Sequence, residues 1–374
     1  MTICVSKELA CFKNINDPRQ KNRRHQLSDI LFIACCAVIC GANSWDDIEE
    51  YGHSKIEWLK TLLVLPHGIP SDDTFRRVFS MLEPKAFENA FRSWIKTLIS
   101  DVVGDVIPID GKRLRGAFRA SKTNVIHEVS AWSCTHQLVL GQVKTEAKSN
   151  EITAIPELLK LLDIKGSIIT IDAMGTQKKI AQQVITQEAD YVLALKGNQS
   201  TLHENVKEHF EQLNVEQELI LDSYKDIDKG HGRLTTRRCD VITDIGWLKG
   251  CKDWSNLSSV IRLQCETTYL VDHHVTTETR YYISSLEKSA QDIESIIRAH
   301  WQIENKLHWV LDVTFSEDAC LIHTPNAAEN FSLLRKIALT LLKKDTSKGS
   351  LKGKRKRAGW NNEFLLGLLA HLDA

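Results

Sequence analysis

The chain has 374 residues, enough for two or three domains and a sizeable core. Hydrophobic residues make up 43% and charged residues 26%, which excludes a disordered tail protein and describes an ordinary folded one. Lys plus Arg and Asp plus Glu stand at 48 each, so there is no global positive field, and any nucleic-acid affinity must come from local patches.

The N-terminal segment MTICVSKELACFKNIND is interrupted by Glu8, Lys13 and Asp17, unlike a secretory leader. The ten cysteines form no CxxC pair, and Cys35, Cys36 and Cys40 sit in the apolar run ILFIACCAVICGA. That pattern predicts reduced, buried thiols in a cytosolic protein. The run spans Ile30 to Ala42, whereas a bilayer crossing needs roughly 20 residues, so it is expected to be a core helix and no membrane partner is expected.

SDILFIACCAVI begins with Ser28 as a candidate cap, NSWDDIEEYGHSKIEWLKTLL has helical spacing, and Pro66, Gly68 and Pro70 end that stretch. SDDTFRRVFSML then predicts a helix capped by Ser71 or Asp72 with Arg76 and Arg77 outward. A capped, basic helix after a short turn suits a helix-turn-helix reader of DNA. An ordinary packing helix with solvated arginines suits the pattern equally.

From Val102 short apolar runs alternate with helical segments. VIPID, VIHEVSAWSC and QLVLGQVKT read as three strands, EITAIPELLKLL as a helix, GSIITID as a fourth strand, TQKKIAQQVITQEA as a helix and YVLALKG as a fifth strand. Asp110 closes VIPID and Asp172 closes GSIITID, where strands deliver side chains to the carboxyl edge of a sheet. Glu304 lies in the aromatic helical segment RAHWQIENKLHW. Two strand acids and one helix acid suit a divalent cation, because Mg²⁺ takes hard oxygen ligands and completes its shell with water and substrate phosphate. Two such ions serve in-line phosphoryl displacement.

The acid spacing is uneven, 172 − 110 = 62 residues and then 304 − 172 = 132. The second gap is longer than one strand and one helix require, and it holds RLTTRRCDVITDI, LSSVIRLQCETTYL and ETRYYISSL, rich in Thr, Val, Ile and Tyr. A largely β insertion is therefore expected at about 200–285, with HGRLTTRRCD as its first strand and a backbone-contacting strip through Arg233, Arg237 and Arg238.

RRHQLSDILFIACCAVICGANSWDDIEEYG, GIPSDDTFRRVFSML, VIPIDGKRLRG, KSNEITAIPELL, ITIDAMGTQ, YVLALKGNQ, RYYISS and HWQIENKLHWVLDVTFSEDA together resemble insertion-sequence transposases of the DDE class, above all the H-repeat-associated proteins. The likeness runs over nearly the whole chain. It implies an α/β, RNase H-like catalytic domain at 99–343 with the β-rich insertion, an all-helical DNA-binding domain at 1–98, and a basic C-terminal segment with a last helix at 344–374. It also implies Asp110, Asp172 and Glu304 as the catalytic, metal-binding triad, with Mg²⁺ or Mn²⁺, two ions, as cofactor. The partners implied are double-stranded DNA, both element ends and target, and a second copy of the chain during joining, within a bacterial cytoplasm at the nucleoid. Many related transposases carry Tyr, Arg and Lys around the helix Glu; here those places hold Ile297, His300 and Leu311. The alternatives are a nuclease that cuts without joining and an inactive DNA-binding relic.

Further cations are candidates for binding phosphates. Lys112, Arg113 and Arg115 follow Asp110, Lys196 ends a strand at the same edge, and Arg298, His300 and Lys306 flank Glu304. The C-terminal run contributes Lys354, Arg355, Lys356 and Arg357, which would gain affinity by counterion release. A solvated tail is the plain reading of that run. Trp301 and Trp309 suit either core packing or stacking on a flipped base. His300, Glu304 and His308 recur every four residues on one helical face, which raises a zinc site, but HExxH and a Cys pair are absent.

Overall fold

The computed structural model describes residues 12, 15–21, 23–116, 126–145, 151–213, 221–230 and 232–372. Most of the N-terminal segment read against a secretory leader lies outside the described residues.

One sheet organises the chain. Strands β1 (Val106–Arg113), β2 (His127–Ser133) and β3 (Leu138–Lys144) form an antiparallel meander, and β4 (Ile168–Ile171) and β5 (Asp190–Leu195) join parallel to β1. The spatial order β3-β2-β1-β4-β5 is the RNase H-like arrangement that three strands followed by alternating helix and strand predicts. Helix α6 (Glu151–Leu161) connects β3 to β4, and α7 (Lys178–Thr186) connects β4 to β5.

The β-rich insertion extends this sheet rather than forming a body of its own. After α8 (Ser200–Gln212), strands β6 (Asp222–Gly230), β7 (Arg233–Ile242), β8 (Ser259–Tyr269) and β9 (Val275–Ser284) run antiparallel, and β9 pairs with β5 to complete nine strands. The expected first strand, through Arg233, is in fact the second. DSYKDIDKG precedes it as the exposed edge. Charged side chains suit a free edge because they discourage pairing with another chain, and the same charges hide the strand from a search for β-branched runs.

The two faces of the sheet bury different clusters, as the period of two requires. Ile169, Ile171, Tyr191 and Leu193 pack with the helices of the main core, while Ile168 and Val192 face Ile293, Ile296 and Ile297 of α9 (Ala290–His300). Helix α9 contacts β1 and β4 as well as β6 and β7, so it ties the insertion to the central strands.

From Leu27 to Leu98 the chain is helical, as expected, in α1 (Leu27–Cys40), α2 (Trp45–Ser54), the short α3 (Ile56–Leu59), α4 (Asp72–Met81) and α5 (Pro84–Leu98). Helix α1 is capped by Gln26 without a side-chain bond, not by Ser28, whereas Ser44 and Asp47 form a reciprocal capping box on α2. Residues 30–39 of α1 are wholly or almost wholly buried, Cys35 and Cys36 included, because α1 packs against α2 and two helices from the other end of the chain. Those are α11 (Pro325–Lys344) and α12 (Leu351–Trp360), separated from α9 by a π-helical turn (Ile303–His308) and α10 (Trp309–Phe315) and followed by α13 (Asn362–Leu369). Among the described residues no single helix is long and apolar enough to cross a membrane.

Candidate active site

Ile109 of β1 pairs with Ile171 of β4, so Asp110 and Asp172 each stand one residue beyond on neighbouring parallel strands. Adjacent strands lie about 4.8 Å apart, so the two acids leave neighbouring backbones. Asp172 is held by the turn that follows it: its Oδ1 accepts from the backbone N–H of Met174 at 3.1 Å and of Gly175 at 3.3 Å. A side chain on Gly175 would overlap Ile171 and come within 2.7 Å of Ile155 Cδ1, so this turn requires glycine.

Glu304 reaches the same cleft from the π-helical turn and lies beside Asp110. Such turns hold one extra residue per turn and recur at functional sites, because they redirect side chains without ending the helix. Here the turn also presents His308, whose Nδ1 lies 3.4 Å from Asp110 Oδ2 and 3.6 Å from Glu304 Oε2. One donor atom from each of Asp110, Glu304 and His308 lies within 4.8 Å of the others, and among the described residues the buried Nε2 of His308, turned away from the two acids, has no hydrogen-bond partner. Burial, then the adjoining Glu304, push the Asp110 carboxyl up to about 8, while His308 holds Glu304 down to about 2. Carboxyls this close hold either one proton or one cation between them.

Asp110, Asp172 and Glu304 line a single cleft of about 250 Å³ together with Lys196, Arg280, Tyr282, His300 and Trp301. The three acids singled out in the sequence therefore line one cleft, where Asp110 and Glu304 share a close cluster with His308 that does not include Asp172.

With this geometry in view, comparison with known proteins is specific. A model described as "Transposase DDE domain" matches residues 103–341, and one described as "DDE_Tnp_1-associated" matches residues 9–95. The chain belongs to the DDE transposase family. It is 45% identical over 364 residues to "Putative transposase YncI" of Escherichia coli O157:H7, covering 95% of this chain and 92% of that protein. It is 42% identical to "H repeat-associated putative transposase YhhI" of Escherichia coli strain K12, covering 92% of this chain and 93% of the relative. A piggyBac transposase synaptic complex with hairpin DNA overlays with a TM-score of 0.45 at 12% identity, over 99% of this chain and 79% of that one, a likeness too loose to add to the family match.

The DDE-family chain departs from several residue-level expectations. Lys112 does not stand free at the cleft mouth: its Nζ donates to Asp312 Oδ1 at 2.5 Å and to the buried Glu317 at 2.7 Å. Arg298 is drawn to the insertion, with Nη1 2.9 Å from Asp226 Oδ2 of β6. His300 is turned onto β4, its Nδ1 2.9 Å from Thr170 Oγ1, and burial lowers its pKa. The zinc triad along the helix is thus not assembled; Asp110 takes the place of His300 beside Glu304 and His308. Lys354 and Arg355 are buried, because α12 packs on α1 rather than forming a solvated tail: Lys354 pairs with Asp345 at 2.9 Å, and Arg355 Nη2 donates to the Val38 carbonyl at 2.8 Å.

Other expected cations remain at the surface: Arg76, Arg77, Arg113, Arg115, Lys196, Lys306, Lys356 and Arg357 are exposed. Arg76 pairs with Asp73, and Arg115 lies 3.8 Å from Asp318. Arg237 of the expected strip faces Asp226 at 3.5 Å. Trp301 and Trp309 are 45% and 59% exposed, so neither is a core residue. Ile297 and Leu311, at the places where many relatives carry Tyr and Lys, are buried. Arg280, which sequence reasoning passed over inside RYYISS, instead reaches the cleft and sits 5.1 Å above the Trp301 ring. Its only sequence signal was its place in a motif shared with the family.

Proposed function

We propose that this protein is the transposase of an insertion sequence, cutting DNA at the ends of its element and joining those ends to target DNA. The observation that carries the reading is the meeting of Asp110, Asp172 and Glu304 in one cleft, two of them on adjacent parallel strands and the third beside the first.

The site fits a hard divalent cation, since Asp110, Asp172 and Glu304 offer carboxylate oxygens to one cleft. Asp110, Asp172 and Glu304 would hold Mg²⁺ or Mn²⁺, which supplies activation of the attacking oxygen and stabilisation of the leaving one. The protein's own share is positioning. The turn N–H groups fix Asp172, His308 orients the Asp110 and Glu304 carboxyls, and Lys196 and Arg280 bring positive charge to where a phosphate would lie. Water attacking the phosphorus breaks the P–O3′ bond and frees a 3′-hydroxyl. In joining, that hydroxyl attacks a target phosphate by the same displacement.

The N-terminal helices α1 to α5, with Arg76 and Arg77 exposed on α4, are the candidate reader of the element ends, and at least two copies of the chain act together when two ends are joined. The site of action is the bacterial nucleoid. The test is cleavage and joining of duplexes carrying the element's terminal repeats, with Mg²⁺ or Mn²⁺, by the wild type and by D110N, D172N and E304Q. All three variants should bind DNA and fail to cut; retained cutting by any one of them overturns the assignment. Cutting without joining by the wild type would leave a nuclease.

A further inference from the structure

Helix α12 has two unlike faces. Lys354, Arg355 and Ala358 are buried on the side that meets α1 and the end of α10, where Arg355 stacks 4.2 Å over Phe315. Lys352, Lys356 and Trp360 recur every four residues and so share the opposite face, which is exposed, with Arg357 beside them. Trp360 is 79% exposed, more than either tryptophan near Glu304. None of these residues lines the catalytic cleft.

The outer face carries charge that the described residues do not neutralise. Residues 346–362 hold six cations and no acid. Asp345, just before them, is taken by the buried Lys354 at 2.9 Å, and among the described residues no carboxylate lies within ion-pair distance of Lys348, Lys352, Lys356 or Arg357. Surface lysines elsewhere do meet acids: Lys60 pairs with Glu57 at 2.9 Å, Lys165 with Glu188 at 2.7 Å and Lys178 with Asp253 at 2.8 Å. In a chain of zero net charge, an unpaired row of cations marks a place where the counter-charge comes from outside. Cations ending in an exposed aromatic complement a nucleic acid, whose phosphates take the charges while its sugars and bases offer apolar surface. A lipid surface would need an apolar helix face turned outward, whereas Leu351 and Ala358 pack inward and Trp360 stands alone among cations.

We propose that the outer face of α12 is a second DNA-binding surface, apart from the cleft, that holds the phosphate backbone of a duplex without reading its sequence. The inference rests on the reading of the protein as DNA-acting, and its test separates the two. Binding of the full-length protein to a random-sequence duplex is titrated with salt for wild type, K352A with K356A, W360A and K165A. The double variant should bind more weakly at low salt and lower the log–log slope by up to about 1.8, roughly 0.9 for each of two phosphates. W360A should weaken binding severalfold with the slope unchanged, since it removes no charge. K165A removes a lysine already paired within the protein and should leave the slope as it is. An equal drop per lysine in K165A would show that net charge rather than this face sets the affinity, and overturns the proposal. A double variant with wild-type slope and affinity, while wild type binds DNA, also overturns it. If the double variant keeps DNA binding but loses binding to phosphatidylserine–phosphatidylcholine vesicles, the face belongs to a membrane instead. If wild type binds no duplex, the DNA-acting reading itself fails. Should the Ala pair lower Tm, K352Q with K356Q decides.

Discussion

The Nδ1 of His308 lies 3.4 Å from Asp110 Oδ2, across a gap of nearly two hundred residues of sequence, and it is the π-helical turn that carries the ring there. His308 is buried and touches both Asp110 and Glu304, so it positions two members of the triad at once. Replacing it by Ala should reduce cleavage about ten- to hundredfold, as loss of an orienting neighbour commonly does, while affinity for end-repeat DNA stays within twofold. Single-turnover cleavage and a binding isotherm on the same duplex check this. A parallel loss of DNA affinity would place the imidazole on the substrate instead.

Lys112 is a structural cation. It bridges Asp312 and the buried Glu317, and although burial alone would raise the Glu317 pKa, Lys112, Arg335 and Lys336 together hold it down to about 2. K112M leaves Glu317 without its nearest counter-charge, and removing one partner of a buried pair costs about 3–5 kcal/mol. Denaturant unfolding should show that loss at neutral pH. A K112M variant as stable as wild type, with weakened DNA binding, would restore Lys112 to the DNA surface.

The C-terminal basic run should divide by burial. K356A with R357A should keep the fold and lower the salt dependence of DNA binding, by roughly 0.9 in the log–log slope for each phosphate that the variant no longer neutralises. R355A should lower Tm instead, because Arg355 donates to the Val38 and Ile39 carbonyls and stacks 4.2 Å over Phe315. Salt titrations and thermal melts of both variants distinguish the two roles.

Arg76 and Arg77 are exposed on α4. If α4 enters a major groove, replacing both by Ala should erase the preference for terminal-repeat over random duplex while leaving random-duplex affinity nearly intact. Equal loss on both duplexes would move end recognition elsewhere, to the exposed insertion strands around Arg233.

Glu88 gives the fold a pH dependence. It is buried, with Oε1 accepting from the Gln142 N–H at 3.0 Å and Oε2 unpartnered among the described residues. Burial pushes its carboxyl up to about 8, with Glu128 acting in the same direction, and neither Arg92 at 3.7 Å nor Lys336 reverses this. The folded protein therefore favours the protonated acid. Its contribution to stability is complete below the ordinary value of 4.5 and is lost as pH rises toward about 8. Relative to E88Q, which keeps a neutral amide, wild type should lose up to about 1.4 kcal/mol per pH unit across that window. Parallel stability curves for the two proteins would refute this.

Local patterning determined much of this protein. The apolar runs VIPID and GSIITID set Asp110 and Asp172 one residue beyond the paired Ile109 and Ile171, although β1 runs on to Arg113 against β2 while β4 ends at Ile171. The helix acid was legible too, in an aromatic segment shared with the family. What tertiary structure alone decided is which charges are spoken for. A lysine run in sequence looks alike whether it faces water or a helix, so Lys354 and Arg355 read as DNA-binding cations until α1 is seen against α12. Lys112 and Arg298 likewise met their acids only through folding, at separations of 200 and 72 residues. The π turn that brings His308 to Asp110 depends on a fit between distant segments, which no local period encodes.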